Sequence, residues 1–130
     1  MRAGIAGYGL AGRYFHAPLL KGCGYEIAAV LTSDATRAAQ VLEDFPDAVV
    51  VSTMPELLSQ RLDLVVVASA NIVHAEQAIA ALEAGIPTVV DKPMGRDFNE
   101  TKRIIDVATQ SGVPVSTFFN RRWDSDALTI

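Results

Sequence analysis

The stretch GIAGYGLAGRYFHAPLL, residues 4–20, joins two kinds of local structure. Its first residues end an apolar segment, Arg2 to Gly7, that reads as a short buried strand, and Leu10 to Leu20 reads as a helix. Between them Gly7, Gly9 and Gly12 make a G-x-G-x-x-G spacing. Each glycine has its own reason to lack a side chain. Gly7 permits the tight turn out of the strand. Gly9 lets a bound group approach the main chain. Gly12 lets the helix pack closely on the sheet. Pro18 has no N–H and clashes with the preceding turn, which predicts a break or kink near Ala17.

Working outward, apolar segments alternate with helical ones. Tyr25 to Leu31, Ala48 to Val51, Leu64 to Ala68, Thr88 to Val90 and Val115 to Phe119 read as strands. LVVVA at residues 64–68 is apolar at every position, as a strand covered on both faces should be. Helices are expected over Asp34 to Asp44, capped by Ser33 or Asp34, and over Pro55 to Gln60. Another spans Asn71 to Ala84, with Ile72, Ala75, Ile79 and Leu82 on its buried stripe. His74 falls off that stripe, in the first turn. A last helix starts at Asp97 and Glu100 in a capping-box arrangement and runs to Gln110, burying Thr101, Ile104, Ile105 and Ala108. This order predicts an α/β, doubly wound parallel sheet of about six strands in the order 3-2-1-4-5-6, with helices on both faces. In that setting the glycine turn reads as a dinucleotide-binding one. Free N–H groups and the helix dipole face the phosphates.

The bulk properties agree with a single domain of this kind. The chain has 130 residues, half of them hydrophobic and a fifth charged. A net charge of −4 leaves no basic excess for phosphate backbones, so no nucleic-acid partner is expected. The single cysteine, Cys23, cannot form an internal disulfide or a metal cluster. No apolar run reaches the ~18 residues of a membrane span, and a cytoplasmic location is expected.

The end of the second strand bears on the choice of dinucleotide. An NAD-selective site usually carries a carboxylate there. This chain has the hydroxyls of Thr32 and Ser33, with Arg37 one helical turn later, a set suited to a 2′-phosphate. NADP is therefore the expected cofactor. NAD stays open, because Asp34 can serve as a displaced acid. At the carboxyl edge of a later strand, VVDKPMG (residues 89–95) places Lys92 where open α/β sheets react their ligands. A lysine there can donate a proton or stabilise a developing alkoxide. An ordinary surface lysine is the alternative. His16 either faces the crevice or ends its helix as a capped residue.

Four stretches carry a resemblance: GYGLAGRYFHAPLL (7–20), NIVHAEQAIAALEAG (71–85), VVDKP (89–93) and FFNRRWDSD (118–126). Together the chain resembles the glucose-fructose oxidoreductase / inositol dehydrogenase / MocA (Gfo/Idh/MocA) oxidoreductases over nearly all its length. The resemblance implies that Gly7, Tyr8, Gly9, Leu10 and Gly12 line the cofactor phosphates and nicotinamide end. It implies that Ser33 and Arg37 meet the adenosine ribose. Ser69, Asn71 and His74 fall where the family has a Pro-Asn-x-x-His stretch, with Ala70 in the proline's place. Asn71 touches the cofactor on this reading, and Lys92 sits beside the reacting carbon. Asp91 stands where the family has glutamate. Asn120, Arg121, Arg122 and Trp123 form a wall near the nicotinamide, or, for Trp123 and its arginines, a hinge. His74 is read as an orienter of the neighbouring loop.

The resemblance also implies a domain division. Residues 1–120 form the dinucleotide-binding domain. Residues 121–130, with a polar turn at 124–126 and a helix starting at 127, begin the crossing to a second α/β domain that supplies the substrate pocket. The expected function is hydride transfer between NADP(H) and a sugar or polyol hydroxyl, incomplete in this chain by itself. Exposure of the crevice edge makes homo-oligomers an expectation. The alternative is a nucleotide-binding sensor or regulatory module with no chemistry, for which Lys92 has no purpose.

Overall fold

The computed structural model describes residues 1–124, apart from the Trp123 side chain. The expected elements beyond residue 124 lie outside the described residues. Six parallel strands form one sheet: β1 (Arg2–Ala6), β2 (Glu26–Leu31), β3 (Val49–Val51), β4 (Leu64–Val67), β5 (Thr88–Asp91) and β6 (Val115–Phe118). Their spatial order is β3-β2-β1-β4-β5-β6, the doubly wound order expected from the sequence. β1 and β4 are adjacent at the centre, with Ala6 opposite Val67. The order therefore reverses direction beside the glycine turn, where ligands bind in such sheets.

Period-two alternation sorts the strand residues into two cores. Ala3, Ile5, Val30, Val66 and Ala68 pack with Ala17, Leu20 and Val41, in the layer of α1 (Ala17–Gly22) and α2 (Ala35–Asp44). Ala6, Ala29, Val65, Val67 and Val90 pack with Leu57, Ala78, Leu82 and Ile104, in the opposite layer. That layer holds α3 (Met54–Leu58), α4 (His74–Glu83) and α5 (Phe98–Ser111). Burial of this apolar surface on both faces is the main stabilising force, at roughly 25 cal/mol per Å².

Local chemistry sets the helix boundaries. Asp34 caps α2, its carboxylate accepting the Arg37 amide at 2.9 Å, so the choice between Ser33 and Asp34 falls to Asp34. Thr53 and Glu56 form a reciprocal capping box on α3. Asp97 caps α5 by accepting the Glu100 amide at 2.9 Å. Glu100 reaches back one residue further than a capping box requires, to the Arg96 amide and guanidinium. Gly112 ends α5 in the left-handed conformation, φ 68°.

Three expectations need correction. Near Ala17 the chain does not break. A π-helical turn, Gly12–His16, leads straight into α1, and the Ala17 amide bonds to the Gly12 carbonyl. The wide turn removes the steric conflict Pro18 would cause in a continuous α-helix, and Pro18 then sits in the first turn of α1, where no N–H is needed. The buried face of α4 is His74, Ala75, Ala78, Ala81 and Leu82. Ile72 lies in a 3₁₀ turn (Asn71–Val73) before the helix, 64% exposed, so His74 takes the inward position. On α5, Ile104 and Ala108 are buried, whereas Ile105 is exposed and Thr101 half-buried.

Candidate functional site

The three glycines play three different parts. Gly7 has φ 96°, and a Cβ there would lie 2.6 Å from the Ser69 Cα and 2.7 Å from the Ala68 carbonyl oxygen. A Cβ on Gly12 would collide with the Gly7 carbonyl, so that glycine closes the turn against its own start. A Cβ on Gly9 would meet nothing nearer than the Arg37 guanidinium at 3.8 Å. The middle glycine thus borders open space. A side chain added there would project into the cleft rather than into the protein.

That open space is a cleft of about 420 Å³ between the ends of β1, β2, β4 and β5. Of the residues that the sequence offers for cofactor binding, Gly7, Gly9, Leu10, Thr32, Ser33, Arg37, Ser69 and Asp91 line it. Asp34, the alternative acid, and Ala70, in the place of the family's proline, line it too, as do Ala11, Leu31 and Ala68, for which the sequence suggests no role. Their signal was positional, since each lies beside a strand end that meets the glycine turn. Thr32 is buried, and its hydroxyl accepts the Asp34 amide at 3.3 Å. Asp34 uses one carboxylate oxygen for its cap. Ser33 and Arg37 are exposed.

Tyr8 behaves differently from its neighbours in the turn. Its side chain is buried in the α1/α2 layer, and its hydroxyl donates to Asp44 at 2.8 Å. Burial, then that hydrogen bond, raises the phenol's pKa well above its ordinary value. Arg13 grips the same carboxylate with two contacts, Nε–Oδ2 at 2.7 Å and Nη2–Oδ1 at 3.1 Å. The Arg13 hydrogen bond holds Asp44 below the usual carboxylate range, aided by the Tyr8 hydroxyl and opposed by burial. This network ties the π-turn to the end of α2. It leaves the Tyr8 main chain, not its phenol, for contact with a cofactor.

The reactive edge expected from the sequence is the segment after β5. Lys92 is exposed, and the Lys92–Pro93 peptide is cis. Lys92 lines a second recess of about 540 Å³ with Phe119, Asn120, Arg121 and Arg122. Asn120 and both arginines belong to a 3₁₀ turn (Asn120–Trp123) after β6, so the expected wall does adjoin Lys92. Arg121 is paired with Asp124 at 2.8 Å.

Two buried histidines flank this edge from opposite layers of the sheet. His74, 1% exposed, faces the Pro93 carbonyl through Nδ1 and the Ser69 carbonyl through Nε2, each at 2.9 Å. Its ring therefore lies between the loop after β4 and the loop after β5. The Ser69 hydroxyl is bonded to Gln77 of α4. Asn71 is exposed at the start of the 3₁₀ turn. His16, at the end of the π-turn, is 3% exposed, and its ring lies 4.5 Å from that of Phe118, tilted 55°. Its Nε2 is 3.8 Å from Asp91 Oδ1, too far for a hydrogen bond. Burial pushes the His16 pKa below its ordinary value, and the Asp91 charge partly opposes the shift. His16 ends the π-turn and is not among the residues that line the cleft; it is buried against Phe118 and beside Asp91.

The comparisons with known proteins agree with this geometry. The pattern of GFO_IDH_MocA, an oxidoreductase family with an NAD-binding Rossmann fold, matches residues 1–119. The uncharacterized oxidoreductase YdgJ of Escherichia coli (strain K12) is 42% identical over 132 residues, which is 100% of this chain and 37% of that protein. The scyllo-inositol 2-dehydrogenase (NADP(+)) IolW of Bacillus subtilis (strain 168) is 39% identical over all of this chain and 36% of its own length. A solved NAD-binding protein from Listeria innocua superposes with a TM-score of 0.88 at 30% identity, over 96% of this chain and 37% of that one. The chain thus spans a little over a third of the relatives it matches.

Proposed function

Because this chain belongs to the GFO_IDH_MocA family of oxidoreductases, whose NAD-binding domain is a Rossmann fold, we propose that it is the cofactor domain of a longer dehydrogenase. On this reading it passes hydride between NADP(H) and a hydroxyl of a sugar or polyol. The observation that carries the proposal is the cleft itself. Bare main chain at Gly9, the Arg37 guanidinium beside it, and Asp91 border one cavity, and Lys92, the residue after Asp91, lines the second recess.

Each residue has a part in this reading. Main-chain groups from Gly7 to Gly12 hold the diphosphate at the start of the helical segment. Thr32, Ser33 and Arg37 take the 2′-phosphate of NADP, and the guanidinium supplies a charge-assisted contact that a free ribose diol does not use. Ser69 and Asn71 border the nicotinamide end. The bound nicotinamide supplies or accepts the hydride. Lys92 donates a hydrogen bond to the substrate oxygen and holds the proton that this oxygen loses or gains. Asn120, Arg122 and Trp123 form the near wall of the substrate space, and the rest of a longer chain forms the far wall. With one wall only, substrate is neither oriented nor shielded from water. The chain by itself is therefore expected to bind NADP(H) and to turn over little substrate. The scyllo-inositol 2-dehydrogenase IolW, named for NADP(+), supports the cofactor and polyol assignments.

Fluorescence titration of the chain with NADPH and NADH tests the proposal. Saturable binding with preference for NADPH supports it. Failure of both cofactors removes the nicotinamide reading, and preference for NADH removes only the assignment of Thr32, Ser33 and Arg37.

A further inference from the structure

His16 Nε2 is the one buried side-chain nitrogen or oxygen without a hydrogen-bond partner among the described residues. Leaving such a group unsatisfied is costly, so its surroundings need an explanation. Phe118 packs against the ring and blocks that direction. The charged group facing it is Asp91, at 3.8 Å. Asp91 Oδ1 accepts the main-chain amide of Lys92 at 2.9 Å, and Asp91 also lines the cofactor cleft. A chain of contacts thus runs from the π-turn that follows the glycines to the backbone of Lys92.

We propose that His16 is a positioning residue for Lys92. It acts through Asp91, and the His16–Asp91 pair closes to a direct hydrogen bond when a dinucleotide fills the cleft. This rests on the cofactor reading given above. Three observations combine in it. The imidazole nitrogen lacks a partner, its nearest acceptor already holds the Lys92 amide, and that acceptor lies in the wall a ligand would press. A movement of roughly 1 Å converts the present separation into a hydrogen bond. The π-turn makes the arrangement available. Its i→i−5 bonding adds a residue to the turn and changes the direction in which His16 points, and such turns concentrate at functional sites. In this way occupancy at the glycine end of the cleft reaches the lysine at the other end through two side chains.

The test uses the ¹⁵N-labelled chain and reads the Lys92 amide and the His16 ring nitrogens by NMR, with and without saturating NADPH. His16→Phe should shift the ligand-free Lys92 amide and weaken NADPH about fivefold. His16→Gln, which keeps an N–H near the Nε2 position, should restore both. NADPH should move the wild-type Nε2 resonance to a hydrogen-bonded N–H value. A Lys92 amide unmoved in folded His16→Phe, or His16→Gln as impaired as His16→Phe, overturns the proposal. If His16→Phe does not fold, Asp91→Asn takes its place and should shift the His16 ring resonances. Unchanged resonances there overturn the proposal equally. If wild type binds no NADPH, the cofactor reading has failed, while the ligand-free comparison of Lys92 amides still decides whether His16 positions that residue.

Discussion

The turn after β1 keeps its shape through what its residues lack. Gly7 and Gly12 approach other main chain too closely for any Cβ, and Gly9 borders open space. Across the same cleft, Asp91–Pro93 is placed by side chains that arrive from opposite layers of the sheet. His74 meets two carbonyl oxygens, whereas His16 meets a carboxylate it does not reach. The first region is shaped by backbone packed on backbone. The second has a fixed side and an unfinished side. On the proposed function, the contrast teaches that the binding end of the cleft is fixed by backbone while the end beside Lys92 is placed by side chains.

The largest effect should come from the first region. Gly12→Val forces a side chain into the Gly7 carbonyl and should cost about 4 kcal/mol or more, read by urea denaturation. A variant of near wild-type stability would break the claim that this turn has no room.

The two histidines should differ next. His74→Ala removes the ring that lies between the Ser69 and Pro93 carbonyls and leaves a cavity, at a cost of about 2–3 kcal/mol. His16→Phe replaces an unsatisfied ring with an apolar one and should change stability by less than about 1 kcal/mol at neutral pH. Equal losses for the two variants would erase the distinction between them.

Arg37→Ala tests the binding end without touching the fold. NADPH should weaken roughly tenfold to a hundredfold, with NADH nearly unchanged. A parallel loss for both cofactors would place Arg37 on the diphosphate instead of the 2′-phosphate.

A smaller effect concerns pH. The folded-state pKa of His16 lies below its unfolded value near 6.5, chiefly through burial and despite Asp91. Between those two values the unfolded chain binds more protons. The contribution is therefore complete above about pH 6.5 and is lost as pH falls through the folded pKa. His16→Phe should abolish that slope in denaturation measured between pH 7 and 5. The smallest expected effect is that of Lys92→Ala on affinity. NADPH binding should be nearly unchanged, while turnover of a full-length enzyme carrying it should be abolished.

What was legible in the sequence follows the same division. The six strands and their order came from apolar segments and glycine punctuation, because period and turn chemistry are local. So did the separate parts of Gly7, Gly9 and Gly12. The capping box of Thr53 and Glu56 is equally local, and it starts the helix one residue before the Pro55 start that proline chemistry suggests. The π-turn was legible only as a fault near Pro18, since a proline marks where a helix must yield but not how. The inward turn of His74 is hidden because an imidazole on a buried stripe becomes acceptable only once carbonyls meet it, and one of the two, that of Pro93, comes from a loop 19 residues away. The Tyr8–Asp44–Arg13 network and the pairing of His16 with Asp91 depend on chain separations that no local pattern reports.

The central claim is that one dinucleotide spans the cleft from the bare main chain at Gly9 to the Asp91–Lys92 edge. Amide chemical-shift mapping on addition of NADPH tests it most directly. The account predicts saturable shifts concentrated at Gly7, Gly9, Leu10, Ala11, Arg37 and Ser69, extending to Asp91 and Lys92. Saturable shifts centred instead on the far end of the sheet, around Tyr25 and Phe45, with the glycine turn silent, would contradict it.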